Sequence, residues 1–265
     1  MSDHKPLIEN ALLRKLAAGE TALCLTIRIS RTLHAVAIAR AAGFDALYVD
    51  MEHSSTSFED ASQICLAACL AGVVPLVRVP SHEAYDINRA LDGGAAGIII
   101  PHVDTAEEAR ACVAACKFPP IGKRSVAGSA AVIGYASMPA AEMSRVLNAN
   151  IMVIPMLETP TAIANADAIA AVDGIDMLLV GTNDLMSEMG IPGKVDDPKV
   201  RQAYATVAAA CKKHRRHLGI GGIKGGAILS DLRAMGAQFL LARADEAMLL
   251  DAAREETKTL RGIFH

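Results

Sequence analysis

A chain of 265 residues with 52% hydrophobic side chains is long enough to bury one large core, which fits an α/β barrel or two small domains. Its formal charge of −3 and 3% aromatic content, with no Trp, supply neither the basic stripe nor the stacking platforms of a nucleic-acid binder. No apolar run approaches the roughly 20 residues that cross a bilayer, and the polar start "MSDHKPLIEN" lacks the apolar stretch of a signal peptide, so a cytoplasmic location with no membrane partner is expected.

Residues 1–20 read as an N-terminal helix or extension. Short β-rich runs then alternate with helical runs to the end of the chain. The strands are "ALCLTIR" (22–28), "ALYVDM" (46–51), "VPLVRV" (74–79), "GIIIPHV" (97–103), "IMVIPMLE" (151–158), "IDMLLVG" (175–181), "HLGIGGI" (217–223) and "FLLARAD" (239–245). They are continuous apolar segments without polar alternation, the mark of parallel strands covered on both faces. In the helix "TAEEARACVAACK", Thr105 and Glu108 have capping-box spacing. In "TPTAIANADAIAAV", Pro160 follows a capping Thr159, where its missing N–H costs nothing. Pairs such as Ala42-Gly43 and Asp173-Gly174 close helices before the next strand.

Eight βα units in this length predict a (β/α)8 TIM barrel, with 1–265 as a single domain. A doubly wound sheet would show a phosphate fingerprint after the first strand, and none is present. The one long irregular stretch, 118–137, is rich in Pro, Gly, Lys and Arg and is expected to serve the active site. The six cysteines fall mainly in helical patterns. Cys65 with Cys69, and Cys112 with Cys116, share helix faces but lack zinc spacing, so buried reduced thiols are expected.

Barrel enzymes carry their chemistry at the C-terminal ends of the strands. In chain order those ends bear Asp50, Glu52 and His53, then Arg78, then His102 and Asp104, then Glu158, then Asp184 in "GTNDL", then Lys224, and finally Arg243 and Asp245. Glu158 and Asp184 end adjacent strands, so one hard cation, Mg²⁺ or Mn²⁺, could be bound by both with open positions left over. Each also reads as an acid in the first turn of a helix. Arg78, in "LVRVP", needs an acid partner or an anionic substrate, because it ends a buried strand. His53 is a candidate acid–base group with Asp50 three positions before it.

These residues in this order resemble the HpcH/HpaI aldolase family of metal-dependent class II pyruvate aldolases. The matching stretches are "ARAAGFDALYVDMEH", "LVRVP", "RALDGGAAGIIIPHVDTAEEA", "KFPPIGKR", "MLETPTAIANADAIAAVDGIDMLLVGTNDLMSEMGIPG" and "FLLARADEAML", from about residue 20 to 252. The resemblance implies a divalent-metal-dependent lyase that reversibly cleaves 4-hydroxy-2-oxo acids to pyruvate and a small aldehyde. The ion would be Mg²⁺, Mn²⁺ or Co²⁺, with no nucleotide or organic cofactor. It implies Glu158 and Asp184 as metal ligands, Arg78 on the pyruvyl oxygen, and His53 as the acid–base group. Asp50 and Asp92 would be acids near that histidine, within or across subunits. Backbone at Gly181, Thr182 and Asn183 would hold the pyruvate carboxylate. It further implies a homo-oligomer, a hexamer built as a trimer of dimers that exchange the last helix.

The chain departs from the family pattern at Ser54 (usually Gly), Met156 (often Gln) and "KRS" at 123–125, changes that bear on the aldehyde partner. Lys123 and Arg124 hint at an acidic acceptor, with Arg124 as a candidate substrate contact. Three alternatives stand beside this reading. One is a Schiff-base aldolase using Lys224 in "GGIKGG". Another is a CoA-thioester lyase of the malyl- or citramalyl-CoA type, and the last is a barrel that binds a 2-keto acid without turning it over.

Overall fold

The computed structural model describes residues 9–223, 225 and 228–264. The eight strands are β1 (Ala22–Ile27), β2 (Ala46–Asp50), β3 (Val74–Arg78), β4 (Gly97–Ile100), β5 (Met152–Leu157), β6 (Met177–Gly181), β7 (His217–Gly221) and β8 (Ala237–Ala244). They pair in sequence order as one closed, all-parallel barrel, β8 returning to β1. The expected barrel is therefore the fold. The helices between the strands are α2 (His34–Ala41), α3 (Phe58–Ala71), α4 (Ala84–Asp92), α5 (Ala106–Cys116), α6 (Ala140–Asn150), α7 (Pro160–Ala164), α8 (Ala166–Ala170), α9 (Thr182–Glu188), α10 (Pro198–His214) and α11 (Ile228–Ala234). Helix α1 (Ala11–Ala17) precedes β1, and α12 (Asp245–Phe264) follows β8.

The continuous apolar strands divide their side chains by parity into two cores. Tyr48, Leu76, Ile99, Ile154, Met156, Leu179 and Phe239 fill the barrel interior, with Leu12 and Leu16 of α1 packed into the same cluster. Val49, Val77, Ile98, Ile100, Val153, Leu178, Val180 and Ile220 face outward beneath the helices. This alternation decides which strand-end residues look into the barrel. Two positions beyond Tyr48 is Asp50, two beyond Leu76 is Arg78, and two beyond Met156 is Glu158.

The predicted helix signals are observed. Thr105 and Glu108 form a reciprocal capping box on α5, and Thr159 caps α7 with Pro160 in the first turn. A second capping box joins Ser57 and Asp60 at α3. Asn10 caps α1 through the backbone N–H groups of Leu12 and Leu13 and donates to the carbonyls of Ala96 and Asn150, tying the helix to the barrel floor. Leu16→Ala is therefore expected to lower stability by about 2–5 kcal/mol, the usual range for truncating a fully buried leucine. Denaturant unfolding reads that loss, with turnover at the opposite end of the barrel preserved.

The six cysteines are free, five of them buried. Burial pushes the Cys69 thiol up to about 11 and those of Cys112 and Cys211 up to about 12, so they stay protonated and unreactive. The irregular stretch 118–137 contains a short 3-10 turn at Ala131–Ile133 and leads into α6, a helix the sequence pattern did not separate from its surroundings. No described helix is long and apolar enough to cross a membrane.

Candidate active site

At the C-terminal mouth of the barrel lies a cavity of about 560 Å³. His53, Arg78, Gly181, Thr182, Asn183 and Asp184, all predicted from sequence, line it together. Asp50 and Glu158 are buried at 0% and 1% exposure. They reach this assembly through Arg78 and Gly181 respectively.

Arg78 is held with little freedom. Its Nε donates to Asp50 Oδ1 at 2.9 Å and its Nη2 to Asp50 Oδ2 at 2.6 Å, a bidentate fork. Nη1 lies 2.7 Å from Glu52 Oε2, an ion pair without hydrogen-bond geometry. The guanidinium also sits over the Tyr48 ring, 5.3 Å from its centroid. Burial pushes the Asp50 carboxyl up, but the hydrogen bonds and charge of Arg78, helped by Arg28 and the His53 backbone N–H, outweigh this and leave it below its ordinary value.

Asp50 thus relates to His53 differently from a carboxylate bonded to its ring. Its Oδ1 accepts the backbone N–H groups of Glu52 and His53, each at 3.2 Å, and so shapes the turn that presents them. The carboxylate nearest the imidazole is Glu52, 3.8 Å away, and the ring is half exposed to the cavity. Glu52 and His102 were visible in the sequence as polar strand-end residues without an assigned role. Here His102 bridges two acids: Nε2 is 3.2 Å from Glu52 and Nδ1 is 3.3 Å from Glu158. His102 takes a left-handed φ of 49°, which lets its backbone N–H donate to Glu158 Oε2 at 2.9 Å.

Glu158 Oε1, by contrast, is buried with no hydrogen-bond partner among the described residues. Burial raises the Glu158 pKa to about 7; the N–H and ring of His102 pull it down, and the Asp184 charge adds to the rise. An orphaned carboxylate oxygen crowded by a second carboxylate is a site short of positive charge. Asp184 itself makes no side-chain hydrogen bond with a described residue. No group of three or more His, Cys, Asp or Glu stands ready to hold a metal ion among the described residues. Two hard oxygen donors with the rest of the shell left to substrate and water suit a divalent ion such as Mg²⁺, which keeps several non-protein ligands. The residues present fit that group.

Gly181 is part of the fit. A Cβ there would lie 2.6 Å from both Cγ and Oε1 of Glu158 and 2.9 Å from Met156 Cε. Gly181→Ala is expected to fold and to lose about 10–100-fold in turnover, since overpacking of this kind costs about 1–3 kcal/mol and falls on Glu158. Steady-state assays beside a thermal melt separate the two effects. The Thr182 side chain is committed to structure, its Oγ1 2.6 Å from Tyr204 Oη and 2.5 Å from the Gly221 carbonyl. Only the backbone at that position is left for a ligand.

Asp92 and Arg124 are brought to each other and not to this mouth. Arg124 Nη2 donates to Asp92 Oδ1 at 2.7 Å and the guanidinium stacks on Phe118. Asp92 ends α4 just before β4 begins, which places the pair at the N-terminal end of its own barrel. Buried Nε and Nη1 of Arg124 find no partner among the described residues. Lys224 lies outside the described residues. Arg28, beside Asp50, was missed; it stands two positions after the inward-facing Thr26, and parity alone would have marked it.

A barrel mouth that gathers two acids, a half-exposed histidine and a fixed guanidinium is equipped for chemistry on an anionic substrate. Comparison with known proteins agrees. Residues 30–219 match the HpcH/HpaI aldolase/citrate lyase family. The 4-hydroxy-4-methyl-2-oxoglutarate aldolase tasA of Hapsidospora irregularis is 41% identical over 93% of this chain and 93% of its own. The 4-hydroxy-4-methyl-2-oxoglutarate aldolase cghB of Chaetomium globosum is 40% identical over 92% of each. The crystal structure of an HpcH/HpaI aldolase from Desulfitobacterium hafniense superposes with a TM-score of 0.89 at 32% identity, covering 94% of this chain and 95% of that one. The chain belongs to the HpcH/HpaI aldolase/citrate lyase family, and it is a lyase.

Proposed function

We propose that the chain is a divalent-metal-dependent pyruvate aldolase whose preferred substrate is 4-hydroxy-4-methyl-2-oxoglutarate or a close dicarboxylic analogue. The activities named for the relatives at 41% and 40% identity support the substrate. Cleavage of its C3–C4 bond gives two pyruvates, so the acceptor in the reverse direction is a keto acid in place of the aldehyde expected from sequence. The carrying observation is the unpartnered Glu158 Oε1 beside Asp184, in a mouth shared with Arg78.

A bound Mg²⁺, Mn²⁺ or Co²⁺ held by Glu158 and Asp184 would act as a Lewis acid toward the oxo and carboxylate oxygens of the substrate. Arg78 keeps N–H bonds beyond those spent on Asp50 and aims fixed positive charge at the oxygen that turns negative as C3–C4 breaks. Backbone N–H groups at Gly181 to Asn183 receive the pyruvyl carboxylate. His53, half exposed at the cavity, takes the C4 hydroxyl proton in cleavage, directly or through a water, and returns one in condensation. Glu52 lies closest to its ring. The bond's electron pair passes to C3, which is protonated to give pyruvate, while C4 becomes the carbonyl of the second pyruvate.

In this reading the protein is a homo-oligomer, a hexamer built as a trimer of dimers. Helix α12 supports it, because none of its residues is buried although Leu249, Leu250, Leu260, Ile263 and Phe264 all face outward. Arg124 and Asp92, distant from their own mouth, would then serve a neighbour's. The reading is tested by proton exchange at pyruvate C3 in D₂O. Exchange that needs added Mg²⁺, Mn²⁺ or Co²⁺ and stops with chelator supports it; its absence with all three leaves only binding.

A further inference from the structure

We propose that Arg28 recognises the carboxylate at the far end of the substrate, and so makes the enzyme selective for dicarboxylic 4-hydroxy-2-oxo acids. The proposal rests on the aldolase reading and adds the residue that chooses the acceptor. Arg28 directly follows β1, and its side chain, 35% exposed, lines the same cavity as Arg78 and Asp184. The closed strand order sets β1 four strands from β5 in either direction, so Arg28 and Glu158 occupy opposite walls of the mouth. An oxo acid gripped through C1 and C2 near β5 and β6 extends its remaining carbons across the barrel toward β1.

Neutralising Asp50 does not account for Arg28. That carboxylate already has a bidentate Arg78 and two backbone N–H donors. Arg28 adds a third side-chain donor, Nε to Asp50 Oδ2 at 2.8 Å. What this bond does is orient the arginine. One acid holds two guanidiniums, Arg78 at the oxo end and Arg28 toward the opposite wall. The base of the side chain is fixed as well, since Asp245 accepts the backbone N–H groups of Arg28, Ile29 and Ser30. At the free end, Nη1 makes a long 3.4 Å contact with Glu246 Oε1, and Nη2 donates to no described residue. A guanidinium anchored at Nε, with Nη1 only weakly engaged and Nη2 uncommitted, is suited to a carboxylate.

The other charged groups on that wall do not compete for the role. Arg243 on β8 lines the cavity, but its Nη2 is held by the Asp251 carboxylate and the Ala247 carbonyl, and its Nε is buried without a partner among the described residues and so is closed to a ligand in the cavity. Glu246 repels a carboxylate and limits where one sits to the Nη2 side of Arg28. His53 lines both this cavity and a more open one shared with Arg28 and Arg31, so the acid–base candidate and Arg28 face the same space.

The test compares two cleavage substrates, 4-hydroxy-4-methyl-2-oxoglutarate and 4-hydroxy-2-oxopentanoate, which lacks the second carboxylate. The ratio of their kcat/KM values cancels any general loss transmitted through Asp50 to Arg78. Arg28→Met is expected to lower that ratio about 10–100-fold, the worth of one charge-assisted hydrogen-bonding contact, with Arg28→Lys between. A second measurement needs no variant. Wild-type enzyme is expected to be inhibited by 2-oxoglutarate at least about 10-fold more tightly than by uncharged-tailed 2-oxopentanoate. An unchanged ratio in Arg28→Met, or equal inhibition by the two oxo acids, overturns the proposal. Failure of the wild type to exchange pyruvate C3 protons with any metal overturns the aldolase reading itself and this proposal with it.

Discussion

Glu158→Gln is expected to abolish metal-dependent turnover, by about 10³-fold or more, while leaving the metal-free fold at least as stable as the wild type. Removing a group that stabilises charge as it develops commonly costs 10²–10³-fold, and here the same change also removes one of only two protein ligands. Stability moves the other way because the wild-type carboxyl is isolated from water, lacks a partner at Oε1 and faces Asp184. Its pKa is raised to about 7 from 4.5, so the folded protein holds the proton more tightly than the unfolded chain. That contribution is fully present below the unfolded value and is lost as pH rises through about 7. Chelator-treated wild type should therefore lose stability at this group between pH 5 and pH 8, and Glu158→Gln should not. Melting curves at the two pH values, taken beside activity with added Mn²⁺, check both halves. A variant that keeps most of its metal-dependent activity contradicts the assignment.

Arg78→Met is expected to be the most damaging single change to the site. It strips the bidentate partner from Asp50, a carboxylate at 0% exposure. Breaking a buried ion pair by removing one member costs about 3–5 kcal/mol, and Arg28 is left to offset part of it through its single bond at 2.8 Å. Turnover should fall about 10³-fold or more, since the fixed charge facing the developing oxyanion is gone. Asp50→Asn in the same chain should recover much of the stability and none of the activity, which separates the structural pair from its catalytic half. The acid side of the stability profile gives a further sign. Asp50 is held below its ordinary value, so its contribution is present above the unfolded pKa and is lost as pH falls through the folded one. Wild type should weaken below about pH 4 by this route, and Arg78→Met should show a shallower fall. Urea unfolding across that range reads it, and equal slopes would count against the network.

The barrel was legible because parallel strands buried on both faces need unbroken apolar runs, and those runs survive in the sequence from "ALCLTIR" to "FLLARAD". Glu158 and Asp184 were legible for a related reason: strand order fixes neighbours, so acids ending β5 and β6 had to meet at one mouth. What strand order does not reveal is which of several polar groups a side chain chooses. Asp50 looked like the partner of the His53 ring three positions away, but inward parity pointed its carboxylate at Arg78 across the β2–β3 register. His102 reaches Glu52 and Glu158 only through a left-handed backbone turn that no local pattern announces. Arg28 was hidden by reading its strand as one apolar run without following the alternation past Thr26. Asp92 and Arg124, picked out by resemblance, pair at the opposite end of the same barrel, because helix ends that lead into strands belong to that end.

Whether Glu158 and Asp184 share one divalent ion within reach of Arg78 is tested most directly by Mn²⁺ binding to metal-free protein. Paramagnetic resonance titration should show one Mn²⁺ per chain, bound more tightly with pyruvate present and lost in both Glu158→Gln and Asp184→Asn. Undiminished Mn²⁺ binding in either variant, or full turnover after exhaustive chelation, would contradict it.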